Sequence, residues 1–115
     1  MILNQINQIF KLIKDNGLTL IPLVQTYGHL EFVLKLKQFE YLREDKKHFQ
    51  AISPCVPDSY EKIIFRMIDQ ILDIHTEDME YIHIGCDEVY LMNRNPACHK
   101  IDEAGSFSSQ DLFIL

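Results

Sequence analysis

Tyr81-Ile82-His83-Ile84-Gly85-Cys86-Asp87-Glu88-Val89 is a short apolar run that ends in two adjacent carboxylates. A run of this length reads as a buried strand. The end of such a strand has no structural use for an Asp-Glu pair, because unpaired charge is costly to desolvate. The pair therefore points to chemistry where a strand meets a loop.

Upstream, the chain alternates helical and strand-like patterns. Ile2, Ile6, Ile9, Phe10 and Ile13 form a helical stripe, and Asn16-Gly17 follows where a left-handed C-cap belongs. Leu18-Thr19-Leu20-Ile21-Pro22-Leu23-Val24 is almost continuously apolar, as a parallel strand buried on both faces reads. Pro22 cannot donate to a ladder and suggests an irregular end to that strand. Gln25-Thr26-Tyr27-Gly28-His29 reads as the loop after it. Leu30 to Arg43 predicts one or two short helices, and Glu44 to Pro57 a loop broken by Ser53-Pro54 and Val56-Pro57. Asp58 and Glu61 have capping-box spacing. Behind them Tyr60, Ile63, Ile64, Met67, Ile68, Ile71, Leu72 and His75 predict an amphipathic helix ending near His75. The tail from Asn93 is polar and ragged, without the periodicity of another helix.

Helix, strand, helix, strand predicts an α/β fold with parallel strands. Both polar segments, Gln25 to His29 and Asp87-Glu88, then follow the carboxyl ends of strands, where sites of α/β proteins are built. Tyr81, His83, Gly85 and Asp87 share one strand face, and Ile82, Ile84 and Cys86 would face covering helices.

Composition narrows the partners. The chain has 115 residues, 47% of them hydrophobic, enough for one domain with a core. A formal net charge of −6 argues against nucleic acid or an anionic membrane as partner. No apolar run is long enough to span a bilayer, and Met1 to Phe10 lacks the pattern of a secretory signal. Cys55, Cys86 and Cys98 show neither a disulfide framework nor a zinc-type C-x-x-C spacing. A reducing, intracellular location, cytoplasmic or nuclear, is the expectation.

Four readings of Asp87-Glu88 compete. It could be a solvated pair capping the next segment, since charges are mostly surface features. It could end a Walker B strand, but Gly17, Gly28, Gly85 and Gly105 form no P-loop. His83, Asp87, Cys86 or His29 could hold a metal, although no familiar ligand spacing is present. The fourth reading is acid catalysis on a glycoside. Two close carboxylates repel, which pushes one towards the protonated state, and a neutral acid beside an ionised partner suits proton donation.

His83-Ile84-Gly85-Cys86-Asp87-Glu88-Val89 resembles the His-x-Gly-x-Asp-Glu signature of glycoside hydrolase family 20, the β-N-acetylhexosaminidases. Gln25-Thr26-Tyr27-Gly28-His29-Leu30-Glu31-Phe32 resembles the Gly-His segment of that family, with wording nearest its intracellular branch. Two motifs in the right order are more specific than either alone. The resemblance covers residues 1 to 98 and leaves 99 to 115 as an unassigned tail.

The resemblance implies a fragment of a (β/α)8 TIM barrel, about strands three and four with their helices. It implies hydrolysis of terminal non-reducing N-acetyl-hexosamine residues by a substrate-assisted retaining mechanism, with no cofactor and no metal. Glu88 would be the general acid and then the base. Asp87 would orient the acetamido group and stabilise the oxazolinium ion. His29 would hydrogen-bond near Glu88, His83 would be a hydrogen-bonded lumen residue, and Glu31 would support the site in a role the resemblance does not specify. Cys86 stands where the family commonly has Gly and carries no expected role.

A whole barrel needs about 250 residues, and the family's acetamido pocket is walled by tryptophans, of which this chain has none. The expectation is a partial catalytic unit with little or no activity as an isolated chain. The alternative is a non-catalytic truncated product or interaction piece of an α/β protein.

Overall fold

The computed structural model describes residues 2–75 and 79–103. Helix α1 spans Ile2–Asp15, α2 spans Glu31–Leu34, α3 spans Phe65–Ile74 and α4 spans Pro96–Glu103. A 3-10 helix, Lys37–Leu42, follows α2, and a wider π turn, Ser59–Ile64, leads into α3.

The α/β expectation is overturned. Among the described residues there is no sheet, and the barrel-fragment reading falls with it. The two expected strands do lie side by side. The His83 N–H donates to the Pro22 carbonyl at 2.8 Å, and the His83 carbonyl accepts from the Val24 N–H at 2.9 Å. The Thr26 N–H reaches the Gly85 carbonyl at 3.2 Å. Pairing nevertheless amounts to one parallel bridge, Leu23 to His83. The cause is local. Gly85 turns into the left-handed region with φ of 51°, and its N–H donates to its neighbour His83 Nδ1 at 3.0 Å instead of extending the ladder. Two segments alone also leave both edges unpaired, and a lone pair of strands is marginal without a third strand or a covered face.

That cover is missing here. Ile84, expected to face helices, is 51% exposed, and Leu23 is 54% exposed. Cys86 on the same side is exposed too.

The core lies in the middle of the chain instead. Leu30, Leu34, Leu42, Ile52, Ile63 and Ile64 pack together, with Val33, Phe39, Val56, Met67 and Ile68 against them. Each such burial is worth about 1.5–3 kcal/mol relative to exposure. The long apolar face predicted behind Asp58 enters this core only through its first turns. Helix α3 itself has no buried residue.

Local signals fared unevenly. Gly17 ends α1 with φ of 67°, while the Leu18 N–H bonds the Ile13 carbonyl and the Gly17 N–H that of Lys14. These are the two bonds of a Schellman motif. The capping box does not form. The Asp58 carboxylate makes no cap bond and accepts from Tyr41 and Lys62 instead. The ragged-tail reading also fails for residues 96–103, which are helix α4. Asn95 Oδ1 accepts from the Ala97 N–H at 2.9 Å, and Pro96 sits at the first helical position, where its missing N–H costs nothing. Residues 104–115 lie outside the described part.

Two ties bring α4 back to the core. Cys55 and Cys98 form a disulfide with a Cα–Cα distance of 5.1 Å, across 43 residues of chain. The sequence reading saw no disulfide framework, and this bond corrects it: spacing carried no signal because the pairing is set by how α4 docks. The second tie is polar. The Asn95 side chain donates to the Arg43 carbonyl at 2.8 Å, and the Arg94 N–H donates to Glu44 Oε1 at 2.8 Å. Glu44 is fully buried, with the Cys98 sulfur 3.8 and 4.0 Å from its oxygens.

Candidate active site

The parallel bridge Leu23 to His83 puts the two motif segments in register. Beyond it, residues 25–29 run alongside residues 85–88. Gly28 allows the close approach: a Cβ there would stand 3.1 Å from the Asp87 carbonyl oxygen and 3.3 Å from Gln50 Nε2. Leu30, next in sequence, is fully buried, so the first motif is anchored where it meets the core.

His29 lies between the carboxylates. Its Nε2 is 3.2 Å from Glu88 Oε2 and 3.4 Å from Asp87 Oδ2. Asp87 and Glu88 both turn towards it because Glu88 has a left-handed backbone, φ 55°, which breaks the alternation of a strand. His29 is left-handed as well, φ 57°. Such backbone costs on the order of 1 kcal/mol or more for a non-glycine residue, and it clusters at functional sites.

The structure therefore brings together three of the five predicted residues: His29, Asp87 and Glu88. His83 is beside them in the chain but spends Nδ1 on the Gly85 N–H, and it is solvent-exposed rather than set in a lumen. Glu31 opens helix α2 and makes no hydrogen bond or ion pair with His29, Asp87 or Glu88.

The surroundings of Asp87 act on its charge. A hydrogen bond from the Gln25 amide, followed by its own backbone N–H, holds the Asp87 carboxyl below the usual aspartate range. Nearby His29 and His83 act in the same direction. These contacts favour the charged form of Asp87. The Glu88 charge, with some desolvation and a hydrogen bond to Glu88, pushes the Tyr90 phenol up. No trio of His, Cys, Asp and Glu among the described residues is arranged to hold a metal ion.

Three neighbours were not singled out from the sequence. Gln25 Nε2 donates to Asp87 Oδ1 at 3.1 Å. Gln50 Nε2 donates to the Glu88 carbonyl at 3.2 Å, fixing the loop from the side of the core. Tyr90 reaches the Glu88 side chain. Gln25 stood inside the quoted motif and Tyr90 just after the second. Gln50, 38 residues from Glu88, had no sequence signal at all.

The site is open. The side chains of His29, Asp87 and Glu88 are 36%, 56% and 54% exposed. A separate concavity of about 570 Å³ lies between α1, residues 18–20 and the end of α3, away from the carboxylates. Among the described residues no helix is long and apolar enough to cross a membrane.

No protein-family model matches the chain, and no solved structure matches it. Two curated proteins do. Human hexosaminidase D is 40% identical over 97 residues, which are 84% of this chain and 20% of the human protein. Bovine hexosaminidase D is 39% identical over 89 residues, 77% of this chain and 25% of that protein. The chain thus spans a fifth to a quarter of the length of these relatives. The resemblance read from the two motifs is borne out: this chain is similar to hexosaminidase D over most of its own length, as part of a longer protein would be.

Proposed function

We propose that the chain carries the proton-transfer pair of a glycosidase that removes terminal N-acetyl-hexosamine residues. The observation that carries this reading is the cluster in which His29 contacts both Asp87 and Glu88. The relatives named hexosaminidase D support the substrate class.

In this reading the 2-acetamido oxygen of the substrate attacks its own anomeric carbon. Glu88 gives a proton to the departing glycosidic oxygen, and the C–O bond breaks with retention of the proton count. The ionised Asp87 accepts the acetamido N–H and offsets positive charge on the oxazolinium ion. Glu88, now a carboxylate, takes a proton from water as it opens the ring. General acid–base catalysis of this kind contributes about 10²–10⁴-fold. His29 holds the Glu88 carboxylate in place between the two steps.

The pair is more than half exposed, and enzymes gain much of their electrostatic stabilisation by excluding water. The isolated chain is therefore expected to turn over substrate weakly. The test is release of an aryl alcohol from an aryl N-acetylglucosaminide by the purified chain and by Glu88→Gln. Slow, Glu88-dependent release supports the reading. Release unchanged by Glu88→Gln overturns the assignment of Glu88. Robust turnover overturns the view that the chain is an incomplete site. Neither release nor any N-acetylglucosamine-induced NMR shift at His29 and Asp87 overturns the substrate class.

A further inference from the structure

We propose that Gln25 is a positioning residue for Asp87, and that Gly85 is the seat that lets its amide reach the carboxylate. The meaning of this role rests on the reading of Asp87 above, but its geometry does not.

Gln25 follows the bridged Leu23 and then Val24, whose N–H donates to the His83 carbonyl, so the backbone fixes its starting point. Its Nε2 donates to Asp87 Oδ1 at 3.1 Å across 62 residues of chain. The rest of the amide turns inward. Gln25 Oε1 is buried and accepts no hydrogen bond among the described residues. A glutamine free to choose would offer that oxygen to water, because a buried acceptor without a partner is destabilising. This amide is held by its bond to Asp87 and by the surface it lies on.

That surface is Gly85. A Cβ at position 85 would come within 2.8 Å of Gln25 Cδ and 3.0 Å of Leu23 Cδ1, and nearer still to Gln25 Oε1. Real side chains do not approach so closely, so any other residue there would displace the amide. The left-handed backbone of Gly85, φ 51°, suits glycine for a second reason. One glycine therefore ends the strand pairing and makes room for the glutamine.

The consequence is an Asp87 whose two oxygens are distinguished. Oδ1 faces Gln25, and Oδ2 faces His29 at 3.4 Å. A hydrogen bond to the charged form favours that form. Gln25 thereby favours the charged Asp87 and holds it in one rotamer, with Oδ2 on the side of His29. An exposed aspartate without it would sample several rotamers.

The experiment follows the Asp87 carboxyl carbon by NMR through an acid titration of the full chain, with no sugar present. In Gln25→Leu the Asp87 midpoint moves up from its wild-type position, and in Gly85→Ala it moves the same way. An unchanged Asp87 midpoint in a folded Gln25→Leu chain overturns the proposal. Should Gln25→Leu not fold, the wild type decides. There the Gln25 side-chain amide shift follows the Asp87 titration with the same midpoint, and the step vanishes in Asp87→Asn. A Gln25 amide indifferent to that titration overturns the proposal equally. Because no substrate is in the tube, failure of the glycosidase reading leaves this result standing, and the reverse holds too.

Discussion

His29 Nε2 lies 3.2 Å from Glu88 Oε2, although 59 positions separate them in the sequence and neither belongs to a helix or strand. The contact exists because the Leu23 to His83 bridge aligns two loops and both residues adopt left-handed backbone. It predicts a measurable coupling. Glu88→Gln should shift the ¹⁵N signals of the His29 ring. Asp87→Asn should shift them as well, because the ring stands against both carboxylates. A ring signal unaffected by Glu88→Gln would mean that the pair is not in contact in solution.

A second prediction concerns where the core is. Leu34 is fully buried and Ile84 is half exposed. Leu34→Ala should therefore cost about 2–5 kcal/mol, the range for cavity-forming core truncations. Ile84→Ala should stay within about 0.5 kcal/mol, as surface changes do. Urea unfolding midpoints check this. The reverse order would mean that the paired segments, and not the central turns, form the interior.

The Cys55–Cys98 disulfide closes a 43-residue separation, and cross-links of this kind contribute roughly 2–4 kcal/mol. Cys55→Ser, Cys98→Ser and the reduced wild type should all unfold at a similar, lower urea concentration. Cys86→Ser should not move the midpoint, since Cys86 is free and exposed. A midpoint insensitive to reductant would sink the prediction.

Asp58 links two turns of the core region. Lys62 Nζ at 2.6 Å and the Tyr41 hydroxyl at 2.7 Å both donate to its Oδ2. Lys62 first, then Tyr41, hold this carboxyl below its ordinary value of 3.8. A depressed carboxyl stabilises the fold fully above the unfolded value, and that contribution disappears as pH falls through the folded one. Asp58 in turn holds Lys62 above its ordinary 10.5. A raised ammonium stabilises fully below that value and ceases to do so as pH rises through the folded one. The stability difference between wild type and Asp58→Asn should thus be flat from above 3.8 to below 10.5 and shrink at both ends. A difference that grows in acid would refute the assignment.

Legibility from sequence followed the range of the interaction. Helix α1 with its Gly17 cap, and the short helices after Leu30, rest on residues within a turn of one another, and they were readable. So was the alignment of the two polar motifs, because both follow apolar runs that meet through Val24 and His83. Gln50 was not readable, since its bond to Glu88 depends on a turn 38 residues away. The Asn95-Pro96 start of α4 was a readable signal that polar composition obscured.

From the sequence alone came five candidate site residues, His29, Glu31, His83, Asp87 and Glu88, and the relatives that the chain resembles. Tertiary structure alone decided that the apolar runs do not become a sheet. Periodicity reports what a segment can bury, but a sheet needs neighbouring strands to take its hydrogen bonds. With only one partner each, residues 22–26 and 83–85 share three backbone bonds and then turn away. The Gly85 N–H that could have lengthened the ladder bonds to His83, and beyond that turn the left-handed backbone of Glu88 brings both carboxylates to His29.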